Sequence, residues 1–445
     1  MEQTIQNAYQ KPVNLKNIMK FAFPTIAMSL FMSFYTMVDG LFVSNLIGTN
    51  ALSAINLTAP VIALVTAVST MLATGGSAVI MKKMGEKKEQ QAREDFTSLI
   101  LVNVLTGLVM WAAGYACMDW MFASMKLSRE VLDYCKEYLS GYLLFTVPIL
   151  LMNNFSLYLI ACGKSSLSFI CSVGGGITNI VLDYVFIRIL GMGTGGAAIA
   201  TGLGYLVTAA VGLIVFAKKS SLLHFVKPVW RLDVLKKAAT NGSSEMAASL
   251  VTGITTMMFN WTMLRYVGED GIAAITIVMY VLMFTSSLFS GYSYGVAPMI
   301  SFYYGEQNHK KLKSLIDTSL KVIAGISLAS FALSIGVTKP LVSVFTSPDN
   351  PVYGLAVSGN RLCSIALLFI GFNIFSSSMF TALNNGAVSA VLAFTRSFVF
   401  MVICLLLLPF LLGVAGIWLA NPLAELMAAA LGLAMFKKYK NRYGY

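Results

Sequence analysis

Long apolar stretches alternate along the whole chain with short polar or glycine-rich breaks. A helix that crosses a bilayer needs about 20 apolar residues, and the chain contains twelve stretches of roughly that length or more. Backbone groups cannot stay unpaired in hydrocarbon, so each stretch is predicted to be a helix. The predicted spans lie near residues 17–44, 51–81, 95–118, 131–161, 166–188, 196–217, 236–264, 271–303, 313–338, 357–383, 387–411 and 414–436. The pattern therefore predicts an all-α polytopic membrane protein with twelve transmembrane helices.

The composition agrees with this pattern. The 445 residues are 57% hydrophobic and 11% charged, whereas soluble domains carry roughly 25% charged residues. A soluble enzyme, a secreted disulfide scaffold and a disordered chain are excluded on these grounds. The six cysteines lie singly and there are only two histidines, so no zinc or haem arrangement is present. We expect no cofactor.

The net charge of +12 raises the question of a nucleic acid partner, and the distribution of the basic residues answers it. With the N-terminus placed inside, 22 of the 31 Lys and Arg residues fall in inner segments and six fall in outer loops. Such a bias is the usual signature of membrane orientation. It predicts that both termini are cytoplasmic, and no nucleic acid is needed to explain the charge.

The two halves of the chain repeat each other at a spacing of 220 residues. Because six helices return the chain to its starting side, the repeat is parallel and predicts two six-helix lobes. We place the N-terminal lobe at 1–219, a cytoplasmic linker at 220–235 and the C-terminal lobe at 236–445. Parallel-repeat transporters bind substrate between their halves, so the repeat favours a secondary carrier. The matching positions include Gly48 with Gly268, Ala54-Ile55 with Ala274-Ile275, Gly75 with Gly295, and Gly85-Glu86 with Gly305-Glu306.

Four polar residues within the N-terminal spans are predicted to lie at one depth. Asp39 is in the first span, Asn179 and Asp183 share one face of the fifth, and Thr201 is in the sixth. A charge inside a span is costly and needs a reason. These groups could supply oxygen ligands to Na⁺, or a carboxyl pair that takes up a proton. The alternative is that they are unrelated caps near helix ends.

Charged residues in the C-terminal half each allow more than one role. Glu245, whose repeat mate is Thr25, could bind a cationic substrate or a second proton, or could be a helix-start carboxylate near the inner interface. Arg396 could equally be a partner for a carboxylate or a substrate contact, and Glu425 is interpreted as structural. Some flexible or aromatic side chains could adapt to apolar cations of different shape, although each such residue more often serves only helix packing. They are Phe34, Tyr35, Met257, Trp261, Tyr280 and Met283.

Several motifs resemble the multidrug and toxic compound extrusion (MATE) family, and within it the DinF-like bacterial branch, over nearly the whole chain. They are Pro24 with Asp39, Gly85-Glu86 with its repeat Gly305-Glu306, the segment Asn179–Ile187, the segment Gly191–Thr201, and Gly416-Ile417-Trp418 with Pro422. The resemblance implies a drug/cation antiporter driven by H⁺ or Na⁺ through two six-helix lobes.

The resemblance also implies a set of coupling residues. In that branch the N-lobe cation site corresponds to Asp39, Asn179, Asp183 and Thr201, with a fourth-span asparagine placed at Asn153 and Asn154 as its neighbour. Other branches use acids in the seventh and tenth spans. Here Glu245 matches the former loosely, and Asn373 is the nearest polar residue in the latter, so a complete C-lobe Na⁺ site is not expected.

The sequence hypothesis is a monomeric antiporter of the bacterial inner membrane that exports hydrophobic, cationic small molecules in exchange for H⁺ or Na⁺. Its partners would be organic substrates and the lipid bilayer. A lipid-linked precursor flippase of related architecture is the main alternative. It would need cationic side chains in the cleft, where only Arg396 qualifies. An intramembrane enzyme lacks its motifs, and a receptor or scaffold leaves the buried carboxylates unexplained.

Overall fold

The computed structural model describes residues 9, 11–47, 49–123 and 127–445, and leaves the side chains at 37, 39–45, 49–50 and 52–53 undescribed. Every regular element in these ranges is helical. We number the helices α1 to α12 in the order of the predicted spans. They are α1 (Leu15–Leu46), α2 (Thr49–Gly85), α3 (Glu89–Ala123), α4 (Arg129–Leu144 and Thr146–Ala161), α5 (Ser165–Asp183), α6 (Gly193–Ala217), α7 (Leu232–Tyr266), α8 (Glu269–Gly305), α9 (His309–Gly336), α10 (Pro351–Cys363 and Leu367–Ala382), α11 (Gly386–Phe394 and Met401–Leu412) and α12 (Val414–Tyr443).

Several of these helices are interrupted. The two parts of α4 meet at Phe145 with a bend of 52°. A π-helical turn, Tyr184–Ile189, extends α5, and a second, Thr395–Phe400, joins the two parts of α11. Single π turns inside α-helices shift the phase of the following side chains and often accompany functional sites. Asp183, which the sequence singled out, immediately precedes the first π turn, and Arg396, also singled out, lies within the second.

The observed helices match the predicted spans to within a few residues at most ends. Among the described helices, ten are long and apolar enough to cross a bilayer, and the bent α4 pair makes an eleventh. The twelfth predicted span is α7, which is 35 residues long but less apolar. Its polar residues include Asn241, Ser244 and Glu245. The reason is that α7 turns a polar face toward the interior of the protein, as described below.

The first two helices of each lobe form the interface between the lobes. We call α1–α6 the N-lobe and α7–α12 the C-lobe; α1 packs against α8, and α2 packs against both α7 and α8. At one end of these helices the backbones touch. A Cβ atom on Gly75 would lie 1.8 Å from the Ala238 carbonyl oxygen, and one on Gly242 would lie 1.9 Å from that of Met71. This end, which the charge pattern predicts to be cytoplasmic, is closed.

The segment between the lobes is hydrogen-bonded to the first turns of α3. Arg93 Nε donates to the Leu222 carbonyl at 3.0 Å, and Ser98 Oγ donates to the Val229 carbonyl at 3.0 Å. Arg231, immediately before α7, donates to Glu94 at 2.6 Å and to Asp95 at 2.8 Å. Non-helical residues 218–231 overlap the predicted linker 220–235. The polypeptide therefore binds the N-lobe before it enters the C-lobe.

Candidate functional site

Close backbone packing between α5 and α6 builds the polar centre of the N-lobe. A Cβ atom on Gly175 would lie 2.5 Å from the Gly204 carbonyl oxygen, and one on Gly204 would lie 2.7 Å from that of Gly175. Small residues at such crossings let two membrane helices approach closely. The glycines thereby fix the distance between the side chains one turn away on each helix.

Those side chains are Asn179 and Thr201, which the structure brings into contact. Asn179 Nδ2 donates to Thr201 Oγ1 at 3.2 Å, and Thr201 Oγ1 donates to the Ala197 carbonyl at 3.0 Å. The two residues are 1% and 6% exposed. Within the described part of the chain the Oδ1 atom of Asn179 is buried without a hydrogen-bond donor. An unsatisfied buried acceptor is costly, so this oxygen is available to a ligand.

Asp183 lies one turn beyond Asn179 on the same face of α5. It is 1% exposed and immediately precedes the π turn Tyr184–Ile189. The side chain of Asp39 lies outside the described residues; its backbone belongs to α1, which packs against α5. Asp183, Asn179 and Thr201 thus form one buried polar group at the α5–α6 contact, with α1 beside it.

The fourth-span asparagines point to other neighbours. Asn153 Nδ2 donates to Ser69 Oγ on α2 at 3.0 Å. Asn154 and Asn103 on α3 exchange two hydrogen bonds of 3.2 and 2.7 Å. Neither amide is hydrogen-bonded to Asn179 or Thr201 among the described residues. The assignment of Asn153 to the cation site therefore stays a prediction from the family resemblance.

A small cavity adjoins the α5–α6 contact. It has a volume of about 20 Å³, enough for one water-sized species, and its walls include Thr201, Tyr35 and Tyr205. Tyr35 is 5% exposed and packs beside Gly176 on α5. The structure thus places this substrate candidate in the N-lobe, next to the proposed coupling residues.

A much larger cavity of about 620 Å³ lies within the C-lobe, between α7, α8, α11 and α12. We call it the C-lobe cavity. Three of the substrate candidates from the sequence, Tyr280, Met283 and Arg396, line it. The polar face of α7 supplies much of one wall. The threonines and serines on the cavity wall are Thr252, Thr255, Thr256, Thr276, Ser286, Ser287, Ser290 and Ser397.

Arg396 and Glu425 form an ion pair at the wall of the C-lobe cavity. Arg396 Nε donates to Glu425 Oε1 at 2.8 Å and to Oε2 at 3.0 Å. Asn373 Nδ2 donates to Glu425 Oε2 at 2.6 Å. Glu425 is 5% exposed. The carboxylate is well satisfied, and it fixes the arginine against α12.

Glu245 borders a second space that adjoins the C-lobe cavity. This cavity, the Glu245 cavity, has a volume of about 140 Å³ and is also lined by Arg396, Ser290 and Tyr294. The Tyr294 hydroxyl donates to Glu245 Oε2 at 3.5 Å. A further pocket of about 30 Å³ brings Glu245 near Thr74 and Ser77 of α2. Glu245 therefore lies where the C-lobe interior approaches the N-lobe.

The remaining substrate candidates line none of these cavities. Phe34, Met257 and Trp261 are 58%, 75% and 58% exposed in the isolated chain. The Trp261 ring lies under the Arg265 guanidinium at 5.8 Å. Their roles as substrate contacts stay predictions. The sequence interpretation treated Glu425 as structural; its carboxylate lies with Asn421 on the wall of the C-lobe cavity and is paired there with Arg396.

Comparison with known proteins identifies the family. The MatE family model matches residues 24–185 and 246–406, one segment in each half of the chain. The multidrug export protein MepA of Staphylococcus haemolyticus (strain JCSC1435) is 24% identical, covering 96% of this chain and 94% of that protein. MepA of Staphylococcus aureus (strain MRSA252) is 22% identical, covering 98% and 96%.

Solved structures share the fold. An outward-facing MATE family transporter of the MOP superfamily has a TM-score of 0.89 at 24% identity, with 96% of both chains covered. A MOP superfamily transporter from Pyrococcus furiosus, described as having a binding pocket of reversed polarity, has a TM-score of 0.89 at 23% identity and the same coverage. With the family model matching both lobes, this chain belongs to the MATE family of membrane transporters and is not an enzyme.

Proposed function

We propose that the protein exports hydrophobic, cationic small molecules across the bacterial inner membrane in exchange for H⁺ or Na⁺, by alternating access of its two lobes. The observation that carries the proposal is the buried contact between Asn179 and Thr201 beside Asp183 in one lobe. The other lobe meanwhile contains a cavity of about 620 Å³. Coupling and substrate binding are thus assigned to separate lobes.

The N-lobe group has the chemistry for a small cation. Asn179 uses its amide nitrogen on Thr201, so its carbonyl oxygen is left for a ligand. Thr201 adds a hydroxyl oxygen and Asp183 adds a carboxylate on the next turn. Hard oxygen donors of this kind suit Na⁺, and a buried carboxylate suits a proton. Asp39 on α1 is the fourth proposed member.

The C-lobe cavity has the size and lining for the exported molecule. Ligand pockets are typically about 300–1,000 Å³. Met283 and Tyr280 offer adaptable apolar surface, and Glu245 in the adjoining space offers a negative charge. The names of the MepA relatives, multidrug export proteins, support a range of organic substrates.

Cation binding is coupled to substrate transport because the two arrangements of the lobes differ in their affinity for the cation. The lobes are in contact at the predicted cytoplasmic end through Gly75 and Gly242, which supports an outward-open arrangement. A cation that binds the N-lobe group in one arrangement more tightly than in the other shifts the population between them, and by the same free energy changes the affinity for substrate. Binding of the external cation would then weaken substrate binding and release the drug outward.

The lining charges favour export of cations over flipping of a lipid-linked pyrophosphate. A flippase needs unpaired cationic groups facing the phosphates. The C-lobe cavity and the Glu245 cavity together carry two carboxylates against one guanidinium, which is too little positive charge to bind a pyrophosphate.

Efflux from everted membrane vesicles tests the proposal. With rhodamine 6G as the fluorescent cation, we expect an imposed H⁺ or Na⁺ gradient to drive transport. Asp183→Asn and Asp39→Asn should each abolish gradient-driven efflux, because neither amide can carry the charge that holds the cation.

Asp349→Asn is the matched control, since Asp349 is exposed in the segment before α10 and efflux should be retained. Gradient-driven efflux that survives in both N-lobe variants would refute the site assignment. Efflux that neither gradient drives would refute the antiport.

A further inference from the structure

We propose that Arg396 forms an anion subsite in the C-lobe, so that the transporter accepts amphoteric organic molecules that carry an acid group as well as a cationic group. The inference rests on the proposed function, because it takes the C-lobe cavity as the place where substrate binds. It adds a chemical class of substrate and a residue that selects it.

The arginine is held in place from one side only. Its Nε atom donates to both oxygens of Glu425, at 2.8 and 3.0 Å. Asn373 Nδ2 donates to Glu425 Oε2 at 2.6 Å and to the Glu425 carbonyl at 2.8 Å. The carboxylate therefore acts as a fixed support that orients the guanidinium group.

The outer end of the guanidinium group is left for a ligand. Arginine has five N–H donors, and Nε accounts for one. Within the described residues, Nη1 and Nη2 of Arg396 make no hydrogen bond to the protein, which leaves four donors. The residue lines both the C-lobe cavity and the Glu245 cavity. A planar pair of terminal nitrogens matches the two oxygens of a carboxylate.

Opposite charges face one small space. The Glu245 cavity, of about 140 Å³, is lined by Arg396 and by Glu245. It has room for several water molecules, or for the polar part of a ligand. Among the lining residues of the two cavities, Arg396 is the one basic side chain. A substrate with an acid and an amine would satisfy both charges.

A substrate that carries only a positive charge would bind in this space with lower affinity. It would pair with Glu245 but leave the terminal nitrogens of Arg396 without an acceptor, and it would approach a like charge. Buried polar groups left unpaired lower affinity and thereby discriminate between ligands. The apolar body of either kind of molecule would lie against Tyr280 and Met283 in the C-lobe cavity.

The competing interpretation is that Arg396 only neutralises Glu425. In that case the arginine does not increase the affinity for a substrate that carries an acid group. A matched pair of ligands separates the two interpretations. Rhodamine 19 carries a free carboxyl group, and rhodamine 6G is its ethyl ester. Both have the same cationic ring system, so the ratio of their dissociation constants isolates the acid group.

The experiment measures both dissociation constants by fluorescence polarisation on the purified full-length protein. The informative variant is Arg396→Gln with Glu425→Gln, because removing both charges leaves no uncompensated buried charge. We expect the affinity for rhodamine 19 relative to rhodamine 6G to fall about 10- to 100-fold, the range for loss of a hydrogen bond to a charged group. Glu425→Gln alone keeps the arginine, and the preference for the acid should be retained or increased.

Two further variants serve as controls for the ratio of the dissociation constants. Glu245→Gln should weaken both dyes in similar proportion, since both are cationic. Ser286→Ala changes the same cavity wall without changing charge, so the ratio should stay at the parent value. If the double variant does not fold, Arg396→Lys replaces it. Lysine keeps the charge but not the planar pair of donors, so the ratio should fall by less than in the double variant but still measurably.

An unchanged ratio in the arginine variants, or failure of the parent protein to bind rhodamine 19, would overturn the anion subsite. If rhodamine 6G is still bound and exported, the proposed export function stands while the subsite fails. If neither dye is bound and no gradient drives efflux, the proposed function fails as well.

Discussion

Gly85 in the N-lobe and Gly305 in the C-lobe make the same contact from opposite sides of the lobe interface. A Cβ atom on Gly85 would lie 2.1 Å from the Phe302 carbonyl oxygen, and one on Gly305 would lie 2.0 Å from the Lys82 carbonyl oxygen. Lys82 and Phe302 are themselves 220 residues apart, so the four residues form a two-fold arrangement. The C-terminal ends of α2 and α8 can touch here because neither glycine has a side chain.

Gly85→Ala and Gly305→Ala should each open this end of the molecule. The added methyl group would overlap a backbone carbonyl, which cannot move aside as a flexible side chain can. Spin labels at Lys88→Cys and Lys310→Cys, in a Cys117→Ser background, would report the separation. We expect the population of longer distances to increase in both variants, and efflux to fall because the closed arrangement is part of the cycle.

Gly325→Ala is the control for that experiment, because no atom of the described residues lies within 4 Å of the added Cβ atom. Its distance distribution should match that of the parent protein. Unchanged distributions in the Gly85 and Gly305 variants would show that the contact does not hold this end closed.

Thr201→Val should uncouple transport from the ion gradient. Valine has nearly the same shape but cannot accept the hydrogen bond from Asn179, so a buried amide donor loses its partner at a cost of about 1–3 kcal/mol. Gradient-driven efflux of rhodamine 6G in everted vesicles should fall about tenfold or more. Binding of the dye to the purified protein should change little, since Thr201 lies in the other lobe.

Thr178→Val is the matched change for Thr201→Val. Thr178 also lies in a predicted span, on α5, and donates to the Gly174 carbonyl of its own helix at 2.8 Å. Its efflux should remain close to that of the parent. Equal losses in the two variants would argue for a general packing effect rather than for loss of the cation site.

Asp95→Asn should destabilise the protein. Asp95 is 1% exposed and pairs with Lys83 and with Arg231, the residue that links the linker to α3. Without the carboxylate, two cations lose their shared partner. We expect a loss of about 1–3 kcal/mol, below the usual figure for a buried pair because both cations are partly exposed. Thermal unfolding in detergent should shift downward by several degrees.

The exposed pair of Asp233 and Lys237 provides the comparison. Both side chains are 68% exposed at a separation of 3.9 Å, and such surface pairs contribute little. Asp233→Asn should leave the unfolding temperature unchanged within error. An equal shift in the two variants would contradict a special role for the cluster around Asp95.

Cysteine labelling in intact cells checks the orientation predicted from the charge pattern. In a Cys117→Ser background, Asp349→Cys should react with a membrane-impermeant maleimide from outside. Lys310→Cys should react only after the membrane is permeabilised, because the segment between α8 and α9 is predicted to be cytoplasmic. Labelling of Lys310→Cys in intact cells would reverse the assignment.

The helices themselves could be predicted from hydropathy, because an unpaired peptide group in hydrocarbon is so costly that the apolar stretches have no other structure available. The same argument was weakest for α7, where Asn241, Ser244 and Glu245 interrupt the apolar pattern. The structure supplies the reason. Asn241 and Ser244 hydrogen-bond to Asn384 and Thr381, and Glu245 borders a cavity, so the polar groups of α7 lie inside the protein.

The proximity of Asn179 and Thr201 in the N-lobe could also be predicted from the sequence. Asp183 and Thr201 were placed at one depth by counting residues from the ends of their spans, with Asn179 on the same helix face as Asp183, and the structure joins Asn179 to Thr201 at 3.2 Å. Counting works here because a short connection between α5 and α6 leaves little freedom in register. It could not assign Asn153, since rotation about the bent α4 decides whether that side chain faces Ser69 on α2 or the cation site.

The apolar spans, the repeat and the depth of the polar groups could all be predicted from the sequence, because each depends on the exclusion of polar groups from lipid and on distance along one helix. Only the tertiary structure decided that Arg396 pairs with Glu425 and shares a cavity with Glu245. These contacts depend on how helices rotate about their axes, and the π turn at Thr395–Phe400 shifts that rotation within α11. Hydropathy carries no signal for such a shift, because the packing of the neighbouring helices determines it.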